Sequence, residues 1–264
     1  MSNVISIAGS AEPELQIVVI DNFYDAVRQD EAMAWLGKLF RFKVESYRAH
    51  YPYGILPFSN CDFFATHWII CEKNQGILKP LMAFKSTDSA RVEAFRLEFP
   101  ALGLLQGSET EAHRAAIQRE LKKAKEGGYP VGYLGSWGSD SSIRKNRRLA
   151  LACRKISTAM FSNWIYSYDV KVAFTFASLR QNVDKVHSHL GIRRLQGADE
   201  QPLAEFKSNL FFDEPSCVSV FFRENHSQAA QQAARECAAL WEKRLIIATA
   251  SSPLSNIYPG KRAA

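Results

Sequence analysis

Hydrophobic positions change their spacing several times along the chain, and each change marks an element. Ile17, Val18, Val19 and Ile20 form an unbroken apolar run, which predicts a short strand over residues 16–20. From about Asp30 the spacing moves to threes and fours, through Leu36, Leu39, Phe40, Val44, Tyr47 and Tyr51, and predicts a helix closed by Pro52 and Gly54. Strands are expected over residues 64–72, 80–85 and 92–99, the first two joined by a turn at Asn74, Gln75 and Gly76. In the third, Phe95, Leu97 and Phe99 alternate with Arg96 and Glu98, as in a strand with one buried face.

Ser108 and Glu111 have the spacing of a capping box. The helix expected after them carries Ile117, Leu121 and Ala124 on one face, lysines near its end, and Gly127 and Gly128 as its stop. A strand over 129–137 leads to a long helix from about Asn146 to Tyr166, striped by Leu149, Cys153, Ile156, Met160 and Trp164. Residues 171–177 are apolar on both faces, as a central strand is. A short helix over 182–190 ending at Gly191, strands near 205–212 and 216–222, and a final helix capped by Ser227 complete the pattern; that helix is striped by Ala230, Ala234, Cys237 and Trp241. The order predicts an α/β fold of mixed α+β type, a central mixed sheet with helices on both faces. Residues 15–250 read as a single domain, between a mobile segment over 1–14 and a flexible tail over 251–264.

Composition narrows the setting. The five cysteines, Cys61, Cys71, Cys153, Cys217 and Cys237, form no CxxC pair, which predicts buried thiols in a reducing compartment, without disulfides or a metal site. No run approaches the roughly 18 apolar residues of a membrane span, and residues 1–14 lack the features of a signal peptide. A cytoplasmic protein is expected. The net charge of +6 favours anionic partners such as a nucleotide, an acidic carrier protein or nucleic acid, and serves plain solubility equally well. Gly-x-Ser-x-Gly, Walker, dinucleotide and HExxH motifs are absent from the sequence.

The chemistry is concentrated between Gly132 and Ala152, where a strand runs through a polar turn into a helix start surrounded by Arg144, Lys145, Arg147 and Arg148. A first helical turn offers free N–H groups and a positive dipole end, and arginines add bidentate contacts, so a phosphate group is the expected ligand.

In this stretch the chain resembles the GNAT superfamily. There a strand ends in a Val-Asp-Pro-type turn, followed by an (Arg/Gln)-x-x-Gly-x-(Gly/Ala) loop around the pyrophosphate of coenzyme A. Asp140 falls at the turn aspartate and Arg144 at the Arg/Gln position, while Arg147 and Leu149 replace the two small residues. A second register, with Arg147, Ala150 and Ala152, satisfies the small-residue rule but breaks the spacing from Asp140. Loss of the glycines resembles the branch that includes acyl-homoserine-lactone synthases and N-acyl amino acid synthases. A second block, Phe174 to Ile192, resembles the later strand and short helix that end in Tyr-x-x-x-Gly-Phe, with His187 at the tyrosine position and Ile192 at the phenylalanine.

The resemblance implies an N-acyltransferase that moves an acyl group from acyl-CoA or acyl carrier protein to an amino acid or similar small primary amine, by direct attack and without a metal. It implies donor binding by Trp137, Gly138, Ser139, Arg144, Lys145, Asn146, Arg147, Arg148 and Leu149, with an N–H near 137–139 stabilising the oxyanion. His187 would protonate the leaving thiolate, and Glu72 or Glu98 would take the ammonium proton. The alternatives are a non-catalytic GNAT-fold module binding acyl-CoA or nucleic acid, and a transferase using aminoacyl-tRNA.

The same residues also have plainer readings: a helix-surface His187, a solvated basic helix start, a core Cys153, and strand-end surface carboxylates at Glu72 and Glu98. Tyr51, Tyr53 and Phe58 would line an acyl pocket or pack over a sheet edge. His189, two residues from His187, points to another face, so the two do not form a metal pair.

Overall fold

The structure, a computed structural model, describes residues 13–51, 58–179, 187–208 and 214–248. The first half runs β1 (Glu14–Asp21), α1 (Phe23–Ala26), α2 (Asp30–Arg48), α3 (Cys61–Phe64), β2 (Thr66–Asn74), β3 (Ile77–Asp88), α4 (Ser89–Ala94), α5 (Pro100–Gly103) and α6 (Glu111–Glu126). The second half runs β4 (Val131–Ser139), α7 (Ser141–Lys145), α8 (Arg147–Ser167), β5 (Val172–Ser178), β6 (Arg193–Arg194), β7 (Phe206–Ser208), β8 (Glu214–Phe222), α9 (Gln228–Glu236), α10 (Ala238–Glu242) and β9 (Leu245–Ala248).

The described strands join one mixed sheet in the order β6-β8-β5-β4-β3-β2-β1-β9, with β7 also on β8. β4 and β5 are parallel, as the connection through α8 requires, and β1 and β9 are parallel; the other pairs are antiparallel. The expected turn closes the β2–β3 hairpin with Gln75 at φ 48° and Gly76 at φ 81°, a two-residue loop of the left-handed kind that suits strand twist.

Alternation along the strands sorts the core onto two faces. Ile17, Val19, Trp68, Ile70 and Leu134 face α8, α9 and α10, where Cys153, Met160, Trp164 and Trp241 meet them. The expected stripe of α8 is buried throughout. Gly132 makes this contact possible: a Cβ there would stand 2.6 Å from the Trp164 ring. On the other face, Trp35, Leu39 and Phe42 of α2 cover Val18, Ile69 and Ala83. Beside them, Ala116, Ile117 and Ala124 of α6 cover Tyr133, Phe174 and Val218. Two separate helical units therefore share this face, with a space between them.

Several expectations are corrected. Residues 92–99 are not a strand: the Asp88 carboxylate accepts the Arg91 N–H and starts α4, and the chain then turns at Arg96, φ 54°. Val92, Phe95 and Phe99 still reach the core, so burial without a ladder produced the alternation. The capping box does not form; residues 108–110 make a 3-10 turn, and α6 starts at Glu111. On α2 the buried face runs through Trp35, Leu39 and Lys43, leaving Phe40 46% exposed. The final helix breaks at Cys237 into α9 and α10, and β9 follows where no strand was expected. Residues 180–186 of the expected short helix, 209–213 of an expected strand and both terminal segments lie outside the described residues.

Candidate active site at the parting of two strands

β4 and β5 pair only from Val131 to Leu134 on one strand and Val172 to Thr175 on the other. β4 then bends at Ser136, φ 54°, where its register with β3 shifts between Ala83 and Lys85, and it continues beside β3 to Ser139. β5 stays with β8 through Phe176, Ala177 and Ser178. The strands part, and a cavity of about 770 Å³ opens between them and between the two helical units. Tyr47 of α2 and Tyr51 just beyond its end form one wall, Pro100 and Gly103 of α5 with the following Leu104 another.

Of the residues expected to bind the donor, Trp137, Gly138 and Ser139 line this cavity on the β4 side. Trp137 stacks on Phe84, with ring centroids 4.4 Å apart. Gly138 admits α2 closely, since a Cβ there would sit 3.1 Å from Ser46 Oγ. The Ser139 N–H donates to Ser46 Oγ at 2.8 Å, and Ser46 Oγ donates to the Ser139 carbonyl at 3.1 Å, which commits that amide to α2.

Arg144 stands at the rim in contact with His50, in the turn after α2. Lys145, Asn146, Arg147 and Arg148 are exposed beyond it and do not line the cavity. The Asn146 side chain caps α8 by accepting the Leu149 N–H at 3.1 Å, and Leu149 itself is buried in the core. Among the described residues Arg144, Lys145, Arg147 and Arg148 form no ion pair, and they crowd the N-terminal end of a 21-residue helix. Asp140 caps α7 by accepting the Ser142 N–H at 2.8 Å. Burial works to raise its carboxyl, but the Ser142 hydrogen bonds and Lys79 hold it below its usual range.

His187 is 1% exposed and lines the cavity, which removes the reading as a surface histidine. Its ring centroid is 6.0 Å from that of Trp137, and its carbonyl accepts the N–H groups of Leu190 and Ile192. Gly191, φ 87°, completes this turn; a Cβ there would lie 2.2 Å from the Asn225 carbonyl oxygen. Glu98 is exposed at the rim and paired with Arg114 at 3.2 Å. Glu72, opposite Lys79 in the β2–β3 ladder, does not line the cavity. Tyr51 and Phe58 do, and Tyr53 lies outside the described residues.

Sequence reasoning missed a buried charge cluster beside the cavity. Asp62 takes Lys43 Nζ on Oδ1 at 2.6 Å and Lys85 Nζ on Oδ2 at 2.6 Å, and Oδ2 also accepts the Ser59 N–H at 2.8 Å. Burial works to raise the Asp62 carboxyl, but the two lysines override it and hold it well below the usual range. Burial lowers Lys43 to about 8 against the pull of Asp62, and lowers His67 to about 3. Burial pushes the Cys61 thiol up to about 11, so it stays protonated. Lys43 continues the buried series Trp35, Leu39, Lys43 at steps of four, and a cation at a core position was the one signal available in the sequence.

No helix among the described residues is long and apolar enough to cross a membrane, and none of their His, Cys, Asp and Glu side chains group to hold a metal. No protein-family model matches the sequence, and no curated protein matches it. Solved structures do match. FeeM, an N-acyl amino acid synthase from uncultured soil microbes, is 12% identical with a TM-score of 0.51, over 85% of this chain and 100% of that one. BjaI, a CoA-dependent acyl-homoserine lactone synthase solved with SAM and isopentyl-CoA, is 8% identical with a TM-score of 0.51, over 89% of this chain and 94% of that one. At such identities the likeness speaks for the fold, and the chain has the GNAT-like fold that these two synthases share.

Proposed function

We propose that the protein is an N-acyltransferase that moves an acyl group from a thioester, acyl-CoA or acyl carrier protein, to a small primary amine. The observation that carries this reading is the cavity at the parting of β4 and β5, which reaches from the basic rim at Arg144 to buried aromatic and aliphatic walls. Its volume lies within the range of about 300–1,000 Å³ typical of ligand sites. Two proteins of the same fold with acyl products in their names support it further.

The amine nitrogen attacks the thioester carbonyl, the new C–N bond forms, the C–S bond breaks, and the amine proton leaves to a base. Holding the two reactants together supplies about 7–11 kcal/mol of barrier reduction, so the protein needs no covalent intermediate. An amide of the Trp137–Gly138 stretch serves the oxyanion, a contribution of about 3–4 kcal/mol. His187 gives a proton to the departing thiolate. Arg144, Arg147 and Arg148 hold the donor's phosphate or acidic surface. Of the two carboxylates, the reading takes Glu98, which lines the cavity, as the one that receives the ammonium proton through water.

A long-chain acyl-CoA at about 100 times its Kd is expected to add about 2.7 kcal/mol of stability, read as a rise in Tm. Arg147→Ala should remove most of it, and free thiol should appear only when an amine is present. No stabilisation by any thioester, together with steeply salt-dependent RNA binding lost in Arg147→Ala, would replace this reading with a nucleic-acid module.

Chain length offers a second check. Ala177 lines the cavity from β5, and Ala177→Phe fills the space between the strands. Excluding about four methylenes at about 0.8 kcal/mol each costs about 3 kcal/mol. The kcat/KM for a long-chain donor should therefore fall about 100-fold, while acetyl-CoA, which is too short to reach the obstruction, loses far less.

A further inference from the structure

The charges around Asp62 do not balance. Lys43 and Lys85 both converge on this single carboxylate, and each lysine side chain is nearly or wholly buried. Among the described residues, the neighbours do not correct the count. His67, whose Nε2 meets the Asp62 carbonyl at 2.7 Å, is neutral, and Cys61 is a thiol. The cluster therefore carries one surplus positive charge away from bulk water, an arrangement that is costly unless an anion completes it.

The two lysines differ in what they face. Lys43 is enclosed, with Asp62 Oδ1 as its hydrogen-bond partner and the Phe58 ring 4.9 Å away. Lys85 lines the cavity. An ammonium group has three N–H donors. Asp62 Oδ2 at 2.6 Å and Ser59 Oγ at 3.0 Å take two of those on Lys85, and the third has no partner among the described residues. Lys85 also stands opposite Gly135, one residue before β4 bends away from β5. The surplus charge is thus presented at the base of the parting, where the reacting groups would meet. Among the described residues, the other charged ones in the lining, Arg144 and Glu98, are exposed at the rim, and Glu98 is already paired with Arg114.

Resting on the acyltransferase reading, we propose that Lys85, anchored by Asp62 and Ser59, is the seat of a substrate carboxylate. Two substrates can bring one. In an α-amino acid the carboxylate and the attacking nitrogen share one carbon, so a carboxylate on Lys85 would hold the amine beside the thioester. A dicarboxylic acyl group would place its far carboxylate there instead. The surplus charge disfavours polyamine acceptors in either case.

Binding separates the two sources without requiring turnover. The first arm compares an N-acyl amino acid with the N-acyl amine of the same chain that lacks the carboxylate. The second compares a dicarboxylic acyl-CoA with the monocarboxylic acyl-CoA of equal length. A preference of at least 30-fold in Kd for the carboxylate in the first arm, falling to within threefold in Lys85→Met, assigns the seat to the acceptor. The same result in the second arm assigns it to the donor. Charge-assisted hydrogen bonds in a buried site support discrimination of this size.

Lys85→Met leaves Lys43 and Asp62 as a one-to-one pair. Lys85→Gln, which keeps a donor for Asp62, is the second variant should the first fail to fold. Wild-type indifference to the carboxylate in both arms, or a preference that survives both variants, overturns the proposal. A carboxylate preference in a protein that transfers no acyl group would uphold the subsite while removing the acyltransferase reading.

Discussion

Replacing His187 with alanine is expected to lower kcat by about 10²–10⁴-fold, the usual contribution of a positioned general acid, with thioester binding changed only a few-fold. The expectation follows from where the ring sits. His187 is buried, lines the cavity and stands 6.0 Å, ring centroid to ring centroid, from Trp137 of β4, so a donor in the cavity that reaches Trp137 passes close to it. The turn that holds the histidine leaves it little freedom, because Gly191 packs against the Asn225 carbonyl in a backbone conformation that side chains rarely adopt. The decisive measurement is a leaving-group series. With CoA thioesters the departing thiolate needs a proton, and the variant is slow. With an activated aryl thioester the thiolate leaves without one, and the variant should recover most of the wild-type rate. A uniform loss across the series would mean that His187 only shapes the cavity, and an unchanged kcat would place the proton source elsewhere.

Asp62→Asn is expected to cost about 3–5 kcal/mol of stability, since removing one partner of a buried ion pair strands the other, and here two lysines are stranded together. At about 2–4 °C per kcal/mol for a large domain, Tm should fall by about 10 °C. The pH dependence identifies the cause. The folded-state pKa of Asp62 is depressed, so its stabilisation is fully present above the ordinary carboxylate range and is lost as pH falls through and below it. Lys43 is also lowered by burial, from 10.5 to about 8, and its pH dependence has the same sign in its own window. Between these values the unfolded chain binds more protons than the folded one, so stability rises with pH across that window. Urea midpoints measured from pH 3 to pH 10 should show a steep acid limb in the wild type that the variant lacks. An acid limb of equal depth in the variant would assign it to other carboxylates.

Much of this architecture could be read from local pattern. The stripe on α8, the glycine turn between β2 and β3 and the uniformly apolar β5 are each written in adjacent residues, and each forms as expected. The GNAT resemblance, carried by the strand, turn and helix after Gly132, is borne out at the level of the fold. Errors arose where a distant contact overrode the local pattern. Phe95, Leu97 and Phe99 alternate like a strand, but Asp88 had already capped a helix upstream of them. The Lys43–Asp62–Lys85 cluster was hidden because its members come from α2, α3 and β3, and no spacing rule links them. Parallel pairing of β9 with β1 was equally hidden, since a strand of four residues shows no period of its own.

That pairing bears on how the chain must be protected while it is made. Val18, Val19 and Ile20 of β1 are wholly buried, and β9 covers their outer edge. During synthesis β1 is among the first strands available and β9 is the last described strand. Until residues 245–248 arrive, the first strand of the sheet presents an open apolar edge, the feature by which partly made proteins adhere to one another. Once β9 docks, the outermost backbone among the described residues belongs to a strand of four residues, a poor template for a second chain. A strand that contributes nothing to the cavity thus guards the nascent protein against self-association.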